Sequence, residues 1–561
     1  MNWGAGKVIL LVAFLVTLGA SFPFWLAKPG ADVLFHYTLI DCFSRQFWSG
    51  DMYPRWCEGA NSGLGSPVFL FYFPLPYYIT TLLHPLSYFG YGAEQQYAVS
   101  VMLATFVTFL TCRRWLGDII SPGRALLCAM IFIFLPYRME VMWFRTAFAE
   151  LWCIAFMPLL FMYTRRIAKG EFKCWPMLAL SMLLCVLCHV PVTFIALLGC
   201  AVQLASIARL RRGPWLFFTL SGVVAACCAS VYLLPAQHFL QYLHPDALEF
   251  MRSVWVNDYI EFDKIMVRVS ALLGLLISVL ILAGLIYMVL CRREPITDDY
   301  ARREMRGWII ASVLALLLML PISAPLWYVF YSLSGIMTPW RAQVLIPFAI
   351  IYLFAVQIQW LMSKERQKTW CCDYMALLGL FVLLSLTMLT TRPPEVQPLY
   401  KTVMDSMVIN AGEYRTRWTD EKTADREHLI ALYKTQQKQS KPIEKAQLIK
   451  TKGKLEVARW DSRAVAFNVD TKKGAALALK QFYFPIWRLR IDGKDSDGIS
   501  PDARSGMTQI DLPAGAHEVT LTRDLSLDMG WHYTLACASS LLGTVVLGAF
   551  MYRNRRHCAK A

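Results

Sequence analysis

Residues 32–78 read DVLFHYTLIDCFSRQFWSGDMYPRWCEGANSGLGSPVFLFYFPLPYY. Seven ionisable residues, Asp32, His36, Asp41, Arg45, Asp51, Arg55 and Glu58, stand there among aromatics and are followed by a Gly/Asn/Ser/Pro run. That composition describes a structured loop able to hold a site. A second group lies in PYRMEVMWFRTAFAE, where Arg138, Glu140, Arg145 and Glu150 crowd a short joint between two apolar runs. Two single residues complete the set: His189 in CHVPVT and Arg341 in TPWRAQ. Carboxylates of this kind can accept a proton, and guanidiniums can hold a phosphate through paired N–H donors. If the segment is helical, Asp32 and His36 share a face four residues apart, and the imidazole can orient the carboxylate. Each residue also has a purely structural reading. Asp32 can be a solvated helix cap, Arg145 and Glu150 an intramembrane ion pair, His189 a hydrogen-bonded joint and Arg341 a snorkelling cation beside an aromatic anchor.

The elements that must position these residues are membrane helices. The chain is 57% hydrophobic and 17% charged, with mean hydropathy +0.43, too apolar for a soluble globular protein. Apolar segments near 7–27, 94–112, 123–137, 147–163, 174–189, 190–208, 214–235, 269–291, 308–328, 340–361, 374–391 and 531–552 predict a polytopic α-helical membrane protein of about twelve spans. The first lacks a small-x-small cleavage site and is expected to stay as a signal anchor. Lys and Arg clusters at Arg113/Arg114/Arg124, Arg165/Arg166/Lys169/Lys173, Arg209/Arg211/Arg212, Arg292/Arg293/Arg302/Arg303/Arg306, Lys364/Arg366/Lys368 and Arg553/Arg555/Arg556/Lys560 fall on one side, which places both termini in the cytoplasm. This holds if Phe69–Gly90, interrupted by Pro74, Pro76 and Pro85, lies along the membrane instead of crossing it. The net charge of +16 is thus topological, and nucleic acid is not an expected partner.

From 392 to 530 charges become dense and apolar runs shorten. Leu455–Arg459, Ala464–Val469, Leu477–Phe484, Trp487–Ile491, Thr508–Leu512 and Glu518–Thr522 read as strands of a C-terminal exterior β-sandwich-like domain, after a charged, partly helical region at 413–448. The expected division is a multi-span domain at 1–391 with its first exterior loop at 28–93, the β domain at 392–530, and a last span with a basic tail at 531–561. Most of the sixteen cysteines sit in apolar runs as small hydrophobes. Cys42 and Cys57 share the exterior loop, where an oxidising face would permit a disulfide.

An acidic residue just after the first span, then YPRW, N-x-G-x-G-x-P and FY-x-PLPYY, resembles the GT-C type of integral-membrane glycosyltransferase. More narrowly, the chain resembles the bacterial membrane-protein family known as 6-pyruvoyl-tetrahydropterin-synthase-related. The Arg-x4-Glu joint, the Pro-Trp-Arg motif and FYFPIWRLRIDGK followed by LPAGAHEVTL are similar to patterns of these families. The resemblance implies transfer of a sugar from a polyprenyl-phosphate donor to an envelope glycan, lipid or protein acceptor, at the exterior face of the bacterial cytoplasmic (inner) membrane. Asp32 is then the leading catalytic base, with His36 beside it and Asp41 and Asp51 in reserve, while Arg138, Arg145, Glu150, His189 and Arg341 bind substrate. No cofactor is evident; a divalent metal is compatible, and the nine histidines show no zinc spacing that the word synthase would require. Walker, G-x-S-x-G, HExxH and Rossmann signatures are absent. Two other classes stay open: a lipid or glycan transporter, which would place charges near the midplane, and a non-catalytic envelope-polymer assembly protein, for which so many spans exceed an anchor's needs. Reporters fused near Gly170, Asp298 and Arg366 should read cytoplasm, and those near Ser62, Asp246 and Lys472 exterior. A cytoplasmic reading near Glu94 would show that Phe69–Gly90 spans.

Overall fold

Hydrocarbon offers no partners to backbone N–H and C=O groups, so apolar runs close their hydrogen bonds internally as helices. The computed structural model describes residues 3–21, 32–209, 211–245, 269–290, 298–327, 339–361, 414–419, 445–449 and 451–558. Its apolar helices are α1 (Trp3–Ser21), α3 (Ala93–Leu116), α4 (Pro122–Ile133), α5 (Phe148–Lys169), α6 (Trp175–Cys188), α7 (Val190–Ala208), α8 (Arg212–Phe239), α9 (Val269–Leu290), α10 (Asp299–Leu318), α11 (Leu345–Leu361) and α12 (Trp531–Cys558), with the amphipathic α2 (Val33–Trp48) after α1. Among the described residues, six helices are long and apolar enough to cross a membrane, or up to eight if each of two bent pairs is one span. Helices therefore occur where eleven of the twelve expected spans lie, but several are short, and the segment expected at 374–391 lies outside the described residues.

Phe69–Gly90 is not one helix. Its prolines divide it into Val68–Phe71, Leu75–Thr81 and a 3-10 turn at His84–Phe89, none long enough to cross a bilayer. Leu82, Tyr88, Phe89 and Tyr91 are exposed, the side-chain set expected at a headgroup layer.

The C-terminal domain has two antiparallel sheets, ordered β1-β4-β8-β7 and β2-β3-β9-β5-β6. The strands are β1 (Ala446–Ile449), β2 (Gly453–Trp460), β3 (Ala464–Thr471), β4 (Ala475–Phe482), β5 (Trp487–Ile491), β6 (Lys494–Ser496), β7 (Ile499–Pro501), β8 (Met507–Leu512) and β9 (Gly515–Arg523). All six expected strands are present. The period-two alternation that revealed them puts Val465, Phe467 and Val469 of β3 and Val519 and Leu521 of β9 inside. In the region expected to be partly helical, only 414–419 and 445–448 are described: a turn pinned to Tyr242 and His244 by backbone bonds, and part of β1.

The first loop joins the two parts. Trp56 is buried against Phe484 and Trp487, with ring centroids 6.4 and 5.9 Å away. Asp51 accepts from Arg523 Nη2 at 2.8 Å and Ser462 Oγ at 3.3 Å, and Leu64 O accepts from the Phe482 N–H at 2.8 Å. These contacts account for N-x-G-x-G-x-P. Asn61 (φ 52°), Ser62 (59°), Gly63 (86°) and Gly65 (83°) are left-handed, and Asn61 Nδ2 donates to Gly65 O at 2.9 Å. A Cβ on Gly65 would stand 2.4 Å from the Trp56 ring. Gly65→Ala should therefore destabilise the chain by about 1–3 kcal/mol from backbone strain alone, and more as the indole is displaced. Thermal unfolding in detergent checks this; an unchanged midpoint would contradict the docking role of the motif.

Candidate functional site

Glu150 lies in the first turn of α5 and is fully buried. A carboxylate there must be paired, and three partners reach it. Arg145 Nη2 donates to Oε2 at 3.0 Å, Tyr137 Oη donates to Oε1, and Arg341 Nε is 3.8 Å from Oε2. Trp340 lies near both cations, its ring 3.9 Å from the Arg145 guanidinium and 5.3 Å from that of Arg341, close enough for cation–π attraction. A guanidinium has five N–H donors, and this arrangement leaves Arg145 Nη1 and Arg341 Nε buried without a hydrogen-bond partner among the described residues.

The joint before α5 sets this geometry. Pro136–Met139 is a single α-turn, Glu140–Phe144 is a π-turn, and Thr146 is left-handed at φ 52°. That conformation is costly for a β-branched residue. Thr146 Oγ1 donates to Arg145 O at 2.6 Å and accepts from the Asp32 N–H at 3.1 Å, and the same N–H reaches Arg145 O at 3.4 Å. The strained residue thus ties the Arg145 joint to the start of α2.

Asp32 precedes α2 in the N-cap position, yet its side chain makes no cap bond. The carboxylate is open to solvent, and among the described residues it has no hydrogen bond or ion pair. It sits in a recess: burial by surrounding protein raises its pKa, the charges of Arg145 and Arg341 oppose the rise, and Glu150 adds to it. Asp32 therefore feels all three charged members of the group. His189 belongs to the same group electrostatically, coupled to Arg341, Glu150 and Arg145. Its Nδ1 accepts from the Val192 N–H at 3.2 Å, capping α7, and its ring lies 4.6 Å from Phe73 of FY-x-PLPYY.

Five of the eight expected residues come together: Asp32, Arg145, Glu150, His189 and Arg341. The other three do not enter the group. His36 is buried, with Nδ1 2.9 Å from Tyr77 Oη and its ring stacked on Tyr97. Burial lowers its pKa to about 3, so it is neutral and braces the aromatic floor; Tyr97 in turn donates to Thr146 O at 3.4 Å. Asp41 lies nine residues along α2, about 13 Å from Asp32, and is exposed in an ion pair with Arg45. Arg138 is buried against Thr105 Oγ1 at 2.8 Å and Ile133 O at 3.3 Å, away from the Glu150 carboxylate. Asp51 is taken up by Arg523. Tyr137, Thr146 and Trp340 went unread in the sequence although all three stand inside the quoted motifs; nothing in those motifs announces that Thr146 is left-handed.

Among the described residues no three His, Cys, Asp or Glu side chains lie close enough to hold a metal ion. No family model and no curated protein matches the chain.

Glu150→Gln keeps the shape but leaves two guanidiniums without their counter-charge. It should cost about 3–5 kcal/mol, the scale for removing one partner of a buried pair, while Asp41→Asn, in an exposed pair, should cost less than about 1 kcal/mol. Equal unfolding midpoints for the two variants would show that Glu150 does not hold the group together.

Proposed function

We propose that the chain is a membrane glycosyltransferase of GT-C type, moving a sugar from a polyprenyl-phosphate donor to an envelope glycan, lipid or protein acceptor. In this reading the twelve spans put the site at the exterior face of the inner membrane, with residues 1–391 forming the transferase domain and the β domain at 392–530 covering its first loop. One observation carries the reading: among the described residues, an open carboxylate without a partner stands beside two guanidiniums that still have N–H groups to give.

Sugar transfer from a phosphodiester needs both halves. The acceptor hydroxyl attacks the anomeric carbon, the bond from that carbon to the phosphate oxygen breaks, and polyprenyl phosphate departs with one more negative charge than it had in the donor. Arg145 and Arg341 are placed to bind that phosphate as the charge develops. Asp32 takes the proton released by the acceptor. With Asp32 ionised, its charge and that of Glu150 balance the two arginines, so the proton it gains offsets the charge that appears on the leaving phosphate. His189, which feels the charges of Arg341, Glu150 and Arg145, and Phe73, 4.6 Å from its ring, are assigned to contact the sugar. Transport or pure assembly gives no role to an unpaired base at this position.

Asp32→Asn should lose at least about 10²-fold in turnover, the scale of general-base loss, when purified protein in lipid is assayed for radiolabel transfer from polyprenyl-phosphate sugars to an envelope extract. Because Asp32 has a raised pKa in the folded chain, the wild-type rate should fall on acidification at a pH above the ordinary carboxylate range, and this limb should vanish in the variant. The sign for stability is opposite to that for activity. Folding strengthens proton binding at Asp32, so its contribution to stability is greatest at low pH and is lost as pH rises through the unfolded and then the folded pKa. At neutral pH Asp32→Asn should therefore unfold at the same temperature as wild type or higher. Undiminished transfer by Asp32→Asn would remove Asp32 from the mechanism.

A further inference from the structure

Cys42 on α2 and Cys57 just after Trp56 form a disulfide with Cα atoms 5.8 Å apart. It ties the helix that begins at Asp32 to the loop that docks the β domain. Both residues are sealed, at 3% and 0% exposure. Around them, Gln46 Nε2 donates to Trp56 O at 2.8 Å and lies 3.3 Å from Cys42 Sγ, and Cys57 and Ser66 exchange backbone hydrogen bonds at 2.8 and 3.0 Å. The residues closing over this loop come from far along the chain: Phe484 and Trp487 on Trp56, Phe482 on Leu64, and Ser462 and Arg523 on Asp51. Ser462 is 411 residues from the Asp51 it binds.

We propose that Cys42 and Cys57 are a maturation site, oxidised on the exterior face by a disulfide-bearing oxidoreductase before the β domain docks, and that docking then shields the bond from reductants. Sealed sulfurs cannot be reached in line by a second protein's sulfur, so the exchange must precede closure. The reaction balances within that class of partner. One cysteine thiolate attacks the oxidant's disulfide and forms a mixed disulfide; the second thiolate displaces it, closing Cys42–Cys57 and releasing the oxidant as a dithiol that carries away both electrons. The two protons pass to that dithiol. Trp56 can then seat between Phe484 and Trp487 on a loop whose register with α2 is already fixed. Ten further cysteines, from Cys112 to Cys537 among the described residues, are free, so among these the pairing is specific to this loop.

The inference rests on the exterior placement of the loop, which a separate control tests. In the full chain in intact cells, Lys473→Cys, at an exposed β-domain turn, should react with a membrane-impermeant maleimide. Free thiols are then blocked under denaturing conditions, and thiols released by reduction are counted by mass-tagged maleimide. Wild type should release two more than Cys42→Ser/Cys57→Ser. In the native membrane protein an impermeant phosphine should cleave the bond at least about tenfold more slowly than in Trp487→Ala, or in Arg523→Gln, which opens the rim while leaving the aromatic seat intact. Equal thiol counts with Lys473→Cys labelled would overturn the maturation site and leave the topology standing. An unlabelled Lys473→Cys would overturn the exterior placement and the inference with it. Cleavage of wild type as fast as both variants would show that docking does not shield the bond and would overturn the proposed order of events.

Discussion

A carboxylate sealed at the start of a membrane helix must be neutralised by its neighbours, and Glu150 sets the terms for the rest of the site. It draws Arg145 from the joint before its own helix and Arg341 from the turn before α11, and it accepts from Tyr137. Two segments distant in sequence, the stretch 137–150 and the turn that carries Arg341, are thus held at one point by charge. Coulomb attraction is strong there because water is excluded, and the desolvation of all three ions is offset only while the set is complete. The same constraint makes the arginines suitable for phosphate. Glu150 orients their planes without using all their donors, and Trp340 stacks beside both. Asp32 sits at the open edge of this group, close enough to feel it and not paired by it.

The second constraint is covalent and steric. Asp32 is only as well placed as α2, and α2 is fixed by Thr146 at one end, by the His36–Tyr77–Tyr97 packing along its inner face, and by the Cys42–Cys57 bond towards its far end. That bond leads to Trp56 and the left-handed turns at Asn61–Gly65, so the β domain acts on the site through a loop it clamps. Asp51–Arg523, partly shielded from water, completes the clamp. The chain's two halves therefore meet at the loop from which the chemistry is proposed to start.

Much of this was legible because periodicity reports burial. The strands at 464–471, 487–491 and 507–512 alternate cleanly, which marks their buried faces but not their neighbours: β9 takes β3 on one side and β5 on the other. β1, β6 and β7 were missed because three or four residues give a period of two no room to show. The site was legible by residue type, since ionisable groups beside apolar runs need a reason to be there. Its membership was not. Arg138 and Arg145 are seven residues apart and would share a face of an ideal α-helix, so either could have been the phosphate ligand. The π-turn at Glu140–Phe144 and the left-handed Thr146 break that phase, sending Arg138 to Thr105 and Arg145 to Glu150. Such local unwinding leaves no mark in composition or spacing. Asp32 and His36, in helical register, separate for another reason: the imidazole finds Tyr77 inside the protein while the carboxylate stays at the rim.

The most direct measurement of the central claim, that this group is built to hold a lipid-linked phosphate, is the affinity of the full chain in nanodiscs for polyprenyl phosphate. Arg145→Lys and Arg341→Lys keep the positive charge that Glu150 requires and lose the planar fork that grips a phosphate in two places. Saturable binding by wild type, weakened at least about tenfold in each variant and unchanged in Asp41→Asn, is the predicted result. Equal affinity in wild type and both variants, or no saturable binding at all, would contradict it.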